Sequence, residues 1–449
     1  MTLKHLPLAA SAPSFALKPW LARQAYTLLL RLGTPAYLWR VWSRGREEPD
    51  YRSHWPQRLG FHGGPRSATG WVWVHAVSLG EARAATPLIA ALREELPGMR
   101  LLLTHTTATG RAAGQALMQP GDVQAWLPYD TPGAVRRFLR HFQPRVGVLM
   151  ETEVWPNLQH EAQRAGVPMV LANARLSPKS LRQGQRFSAL LRPAAQALTL
   201  TLAQTSDDAE RLRTMGASPV HVRGNIKFDM TPSPALLALG HRWRDADARP
   251  LCLAASTREG EEAGLLDAWS REAEAEGIAP TAPKPRLFIV PRHPQRFDEV
   301  SALVQARGLS VSRRSAWPDG MPDARALSAD VWIGDSMGEM PAYYASAALA
   351  WLGGSFAPLG GQNLIEAAAC GCPLVMGPST YNFAEAAELS LAAGAAVRAT
   401  DWCDAVRVSR RWLAEGTAAV RTSALGFALT HQGASRRMAQ DIACTFVTP

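Results

Sequence analysis

A carboxylate set just past an apolar run is the first pattern in this chain able to do acid–base chemistry. Val77-Ser78-Leu79-Gly80-Glu81 follows the run 71–77. Ser78 and Glu81 have capping-box spacing, the serine taking a helix N–H and the glutamate reaching back. The alternative is a general base acting on a hydroxyl. Met150-Glu151-Thr152-Glu153-Val154-Trp155-Pro156-Asn157 places two acids after a second apolar run. Either acid caps the helix that Pro156 opens, or both line a site. Lys227, in Gly224-Asn225-Ile226-Lys227-Phe228-Asp229, either reaches an anion or is solvated.

The second half carries anion-binding patterns. Leu352-Gly353-Gly354-Ser355, then Gly360-Gly361-Gln362-Asn363-Leu364-Ile365-Glu366, stand between an apolar run and an alanine-rich stretch. A strand, glycine loop and helix in that order bring backbone N–H groups to a phosphate. Ile289-Val290-Pro291-Arg292-His293 sets a guanidinium past a strand, suited to bidentate phosphate or carboxylate. Ser256-Thr257-Arg258-Glu259 and Ser336-Met337-Gly338-Glu339 repeat the S-x-x-E spacing and read as caps opening helices. No G-x-G-x-x-G with a downstream acid and no Walker A lysine occur, which excludes those dinucleotide and NTP motifs. Asp245-Ala246-Asp247 reads as a solvated part of a linker.

These residues need a scaffold, and the pattern supplies one. At 449 residues the chain predicts two domains plus appendages. Apolar runs at 71–77, 100–104, 123–127, 146–150, 168–172, 198–203 and 220–222 alternate with helical patterns at 82–95, 110–118, 132–142, 157–165 and 207–215. The pattern pauses over 231–250 and resumes at 251–255, 287–290, 330–333, 348–352 and 373–376. Helices over 402–413 and 422–446 finish it. Such alternation predicts parallel sheets covered on both faces. Two doubly wound α/β domains would face a cleft with their strand ends.

Net charge is +10, and residues 1–60 supply +6 of it, with nine Lys/Arg against three acids. Trp20, Tyr26, Tyr37, Trp39, Trp42 and Trp55 lie in the same stretch, the composition of an interfacial membrane segment. Arg23, Arg31, Pro35 and Arg40 interrupt it, so a spanning helix is not expected. Nor is a signal peptide. The five cysteines, Cys370-Gly371-Cys372 among them, lack a second zinc-like pair and read as free and buried.

In order, the acidic motifs, Leu127-Pro128-Tyr129-Asp130, Ala172-Asn173-Ala174-Arg175-Leu176-Ser177, Lys227-Phe228-Asp229, Val290-Pro291-Arg292-His293-Pro294, Gly334-Asp335-Ser336-Met337-Gly338-Glu339 and Gly361-Gln362-Asn363 to Glu366 closely resemble the 3-deoxy-D-manno-octulosonic acid (Kdo) transferases. The resemblance runs from about Tyr26 to the C-terminal helix. It implies a GT-B glycosyltransferase of two Rossmann-like domains, inverting, using CMP-Kdo and needing no metal or other cofactor. The implied acceptor is a tetraacyl lipid A precursor (lipid IVA) at the anionic cytoplasmic face of the inner membrane, with no nucleic-acid partner. By position, Glu81 is implied as general base, and Glu151 and Lys227 as stabilisers of the transition state. Pro291, Arg292, Met337, Gly338, Glu339, Asn363, Leu364, Ile365 and Glu366 are implied CMP contacts.

The implied domains are a membrane-associating segment over 20–60, an acceptor domain over 61–228, a linker over 229–250, a donor domain over 251–420 and a terminal helix over 421–449. The extension 1–19 stands outside the pattern. Gln362 stands where many members have histidine, and Ala76 where serine is frequent. Two other classes compete: a UDP-sugar transferase or epimerase of the same fold, and a basic membrane-surface or nucleic-acid-binding protein without turnover.

Overall fold

The computed structural model describes residues 17–63, 70–275 and 284–447, so the extension expected over 1–19 lies mostly outside the described residues. The chain forms two compact units. One runs to Ile226 and resumes at Gly433; the other spans Lys227–Gln432.

The first unit is built on β1 (Val72–His75), β2 (Leu101–His105), β3 (Val123–Trp126), β4 (Val146–Met150), β5 (Met169–Ala174), β6 (Leu200–Ala203) and β7 (Val220–Val222). All pair in parallel, in the order β3-β2-β1-β4-β5-β6-β7. Successive side chains point to opposite faces. Val72, Val74, Leu101, Leu103, Val146 and Val148 therefore join one apolar cluster, while Trp73, Leu102 and Leu149 join another. Burial on both faces is why these strands read as continuous apolar runs.

The second unit repeats the plan with β8 (Leu251–Thr257), β9 (Arg286–Pro291), β10 (Val311–Arg313), β11 (Val331–Ile333), β12 (Leu349–Leu352), β13 (Leu374–Met376) and β14 (Ala396–Arg398). Their order is β10-β11-β9-β8-β12-β13-β14. Sequence patterning missed the two edge strands β10 and β14. Each has three residues and is only partly buried, so neither leaves an apolar run.

Two segments differ from expectation. The linker expected over 229–250 contains the helix Pro234–Ala246, part of the second unit. Its Trp243 is wholly buried against Phe288, Trp317 and Tyr343. Pro234 stands in the first turn, where the missing N–H has no intrahelical partner to lose. Asp247, read as solvated, accepts from Arg249 and from the fully buried Arg286, whose guanidinium lies 4.3 Å from the Trp332 ring centroid. The single terminal helix expected over 422–446 is two helices, Ala418–Thr430 and Ala434–Val447, with Gly433 at φ +89° between them. The second helix returns to the first unit and buries Ala434, Met438, Ala439 and Ile442 with α2 (Leu79–Glu95). Cys252, Cys370 and Cys372 are free and buried, as expected; Cys403 is partly open and Cys444 exposed.

Residues 17–44 form one helix, α1 (Leu17–Arg44), continuous through Pro35. Thr27 and Val41 are its buried residues, whereas Leu28, Leu29, Leu32, Trp39 and Trp42 are exposed. No described helix is long and apolar enough to cross a membrane. Two polar contacts fasten α1 to the first unit: Tyr26 Oη donates to Asp130 Oδ2 (2.9 Å) and Thr27 Oγ1 to Asn157 Oδ1 (3.1 Å). Asp130 also accepts from the Asn157 and Leu158 N–H groups (3.1 and 2.7 Å), which caps the helix Pro156–Arg164. Glu151 and Glu153, the caps that position alone offered, do not perform that role.

Burial pushes the Asp130 carboxyl up to about 6, against the opposing bonds from Asn157, Tyr26 and Leu158. The folded state therefore holds a proton on Asp130 over a range where the unfolded chain has lost it. Its stability contribution is greatest below the ordinary aspartate value and declines as pH rises toward about 6. Urea melts from pH 4 to 7 should show that decline in the wild type and a flatter profile in Asp130→Asn. Tyr26→Phe should cost about 1 kcal/mol, the usual net worth of one such bond.

Candidate active site

Strand order reverses between β1 and β4 in the first unit, which opens a crevice at their carboxyl ends. Glu81 follows β1 and Glu151 follows β4. Ser78 caps α2, its Oγ accepting from the Glu81 N–H (3.4 Å), while Glu81 Oε2 accepts from the Val77 N–H (2.9 Å). The capping box exists, yet it engages Glu81 through one backbone donor and leaves the residue partly exposed. Burial pushes the Glu81 carboxyl up to about 7; the Val77 bond opposes this, and the charges of Glu153 and then Glu151 add to it. A carboxyl poised near neutrality suits proton abstraction.

Glu151 is buried and takes a left-handed φ of +55°. Its Oε2 accepts from Arg175 Nε (2.9 Å), and the Arg175 N–H returns to the Glu151 carbonyl (3.2 Å). Glu153 Oε2 accepts from Trp155 Nε1 (2.8 Å), and burial raises its carboxyl above the usual range. Asn173, at the end of β5, also has a left-handed φ of +52°. Its Oδ1 accepts from the Ile226 N–H (3.2 Å). Backbone strain of this kind clusters at functional sites. His75 and His105, at the ends of β1 and β2, are held neutral by burial, near 3 and 4.

In the second unit the order reverses between β8 and β12. The predicted caps are not caps. Ser256 and Thr257 remain in β8, and the helix Glu261–Ala275 begins two residues past Glu259. The organising group there is Glu261, which sequence reasoning missed. Its carboxylate accepts from the Arg258 (2.8 Å), Gly354 (2.7 Å), Phe356 (3.1 Å) and Ala357 (3.2 Å) N–H groups. One buried acid thus ties the loop after β8 to the glycine loop after β12. The acid pair Glu261-Glu262 shortly after a strand was the available signal. Gly353 is required: a Cβ would lie 2.2 Å from the Ser256 carbonyl oxygen.

Pro291 is buried at the end of β9, and Arg292 beyond it is exposed, with no carboxylate pairing to it among the described residues. Arg296 differs, being held by Glu262 at 2.7 and 3.0 Å. Met337 and Gly338 are exposed at a turn after β11, with Gly338 at φ +82°. Glu339 accepts from Arg314 (2.8 Å) and from Ser336 Oγ, so Ser336 ties the turn without capping the helix Met340–Ser346. Asn363 caps the helix Leu364–Ala369, its Oδ1 accepting from the Ile365 N–H (3.2 Å). Leu364 and Ile365 are buried beneath that turn and Glu366 is half-buried. Lys227 opens this unit, its Nζ 5.4 Å from the Phe383 ring centroid.

The first unit thus gathers Glu81, Glu151 and Glu153. The second gathers Arg292, the 337–339 turn and the 363–366 turn on one sheet edge. A near-neutral carboxylate in one and anion-ready loops in the other define a group-transfer enzyme of GT-B architecture. HepE of Anabaena, solved in complex with UDP, shares that fold: 16% identity, TM-score 0.55, 85% of this chain and 100% of that one. Residues 53–230 match the family described as 3-Deoxy-D-manno-octulosonic-acid transferase (kdotransferase). The 3-deoxy-D-manno-octulosonic acid transferase of Bordetella pertussis is 47% identical over 428 residues, covering 93% of this chain and 98% of that protein. The Haemophilus influenzae protein of the same name is 33% identical, covering 80% and 83%. The chain belongs to the Kdo transferase family. It is a glycosyltransferase, and the competing UDP-sugar and non-enzymatic readings fall.

Three measurements test the site. A general base at Glu81 predicts an acidic limb near pH 7 in the rate–pH profile, since a base must first lose its proton. With Glu81 as base, Glu81→Gln should abolish turnover yet raise Tm at pH 8, where the partly buried carboxylate is charged and disfavours the folded state. Glu261→Ala strips an acceptor from four backbone donors. It should lower kcat/KM for the donor on the order of a hundredfold, as loss of a positioning group in a preorganised site does, and shift the urea midpoint.

Proposed function

We propose that the chain transfers Kdo from CMP-Kdo to a sugar hydroxyl of a tetraacyl lipid A precursor, lipid IVA, in lipopolysaccharide biosynthesis, with inversion. The observation that carries this reading is Glu81, a carboxylate poised near 7 at the β1/β4 reversal. It supports a base that takes the acceptor hydroxyl proton as the anomeric carbon–phosphate bond lengthens. Oxygen attacks the anomeric carbon from the face opposite the leaving group, and the bonding pair departs with the CMP phosphate. Glu151 and Lys227 stabilise the charge that develops. Arg292 binds the departing phosphate, with Pro291, the 337–339 turn and the 363–366 turn around the nucleotide. The stabilising charges on the phosphate come from side chains and backbone donors, without a metal.

The exposed apolar face of α1 and the basic charge around it support association with an anionic membrane. We assign the protein to the cytoplasmic face of the inner membrane.

Purified protein incubated with lipid IVA and CMP-Kdo formed in situ, EDTA present, should add Kdo mass to the lipid, and the product should carry the inverted anomeric configuration by NMR. Glu81→Gln, shown to be folded by its own thermal melt, should add none. Unchanged lipid with intact donor in the wild type would sink the reaction. Equal gain in both proteins would reduce Glu81 to a helix cap.

A further inference from the structure

The first unit holds a cavity of about 320 Å³ between α1 and the carboxyl edge of its sheet, within the usual range of about 300–1,000 Å³ for small-molecule sites. Its walls are mostly apolar, from Leu29, Leu30, Leu127 and Pro128. The polar residues that border it are largely satisfied elsewhere. Thr34 turns its hydroxyl back to the Leu30 carbonyl (2.7 Å), and Asp130 is saturated by Tyr26, Asn157 and Leu158. Two buried donors are not: Tyr129 Oη and Arg58 Nε have no hydrogen-bond partner among the described residues. Arg58 is 1% exposed. Its charge is met by the Trp126 ring at 3.9 Å and by two long contacts from Nη1 and Nη2 to the Thr106 carbonyl (3.4 and 3.5 Å). Both atoms are shielded from solvent, so neither faces the open cavity, and its walls stay apolar.

Gly33 adds an independent sign. It lies inside α1, where glycine costs stability relative to alanine. It needs no special φ, and a Cβ there would meet nothing within 4 Å. No packing contact explains the glycine; it borders the cavity.

Leu29, exposed on the apolar face of α1, is one of the cavity's walls. Thr106 and Trp155 also line it, and both belong to segments bonded toward the acid cluster. The Thr106 and Thr107 N–H groups reach the Val77 carbonyl (3.4 and 3.3 Å), Val77 N–H holds Glu81, and Trp155 Nε1 holds Glu153.

We infer that this cavity is a slot for one acyl chain of the acceptor. The inference rests on the acylated-acceptor reading above and extends it: the slot holds a chain while the sugar hydroxyl approaches Glu81. Each methylene buried is worth about fourfold in affinity, so a filled slot strongly separates acylated from bare acceptors.

The test uses the full chain and Gly33→Phe, which fills the slot without a Cβ clash. The ratio of kcat/KM on lipid IVA to that on its deacylated backbone should fall at least tenfold in Gly33→Phe, mainly through KM. An unchanged ratio, or equal loss on both acceptors, overturns the slot. A dansyl-labelled undecanoic acid probe reads the slot without turnover. It should bind the wild type, bind Gly33→Phe at least tenfold more weakly, and be displaced by lipid IVA in preference to phosphatidylglycerol. Probe binding that survives Gly33→Phe but is lost in Leu32→Gln, on the exposed face of α1, overturns the slot in favour of that surface. So does displacement by phosphatidylglycerol alone. Turnover absent from the wild type on both acceptors, with probe binding behaving as expected, would instead overturn the proposed reaction and leave the acyl slot standing.

Discussion

Parallel strand pairing is the constraint on which this protein depends. Strands that run the same way place every carboxyl end on one edge, and each connection must cross a face of the sheet to return. Both faces are therefore covered, and one edge of each sheet collects the loops. Where the strand order reverses, between β1 and β4 and between β8 and β12, neighbouring loops part and leave room for chemistry. The residues that matter sit at those two points in their respective units.

The two units treat an equivalent acid differently. Glu81 and Glu261 each stand in the first turn of the helix that follows the first strand of a sheet. Glu261 takes four backbone N–H groups and becomes a structural tie between loops. Glu81 takes one, from Val77, and has two acids nearby, so burial and like charge raise its carboxyl toward neutrality. Donor count thus separates an acid tied between loops from one left poised near neutrality. Backbone strain follows the same geography: Glu151, Asn173 and Ser256 all adopt left-handed φ at or just past strand ends.

The N-terminal helix shows how a polar latch can hold an element whose apolar face stays outward. Tyr26 and Thr27 reach Asp130 and Asn157, and Asp130 at the same time caps the neighbouring helix. One buried carboxylate therefore joins α1, the loop after β3 and the helix after β4. Few apolar side chains of α1 are needed for docking, which leaves Leu28, Leu32 and Trp39 in solvent contact.

The sequence by itself determined the α/β class, most strands and the family, because doubly buried strands leave continuous apolar runs and motif order survives without coordinates. It also singled out Glu81 and Glu151 as acids at strand ends. It missed the edge strands β10 and β14, each three residues long and only partly buried, and it read the helix Pro234–Ala246, which buries Gly240 and Trp243, as a linker on the strength of Pro232, Pro234 and charged residues. Only the tertiary structure decided which acids are ties and which are poised. Glu261, Asp130 and Asp247 draw their roles from partners 39 to 104 residues away, such as Gly354, Tyr26 and Arg286. The split of the terminal segment between units, and the cavity beneath α1, likewise arise from elements distant in sequence. Local patterning records the period of a strand or helix; burial and donor count are set by what the fold brings alongside.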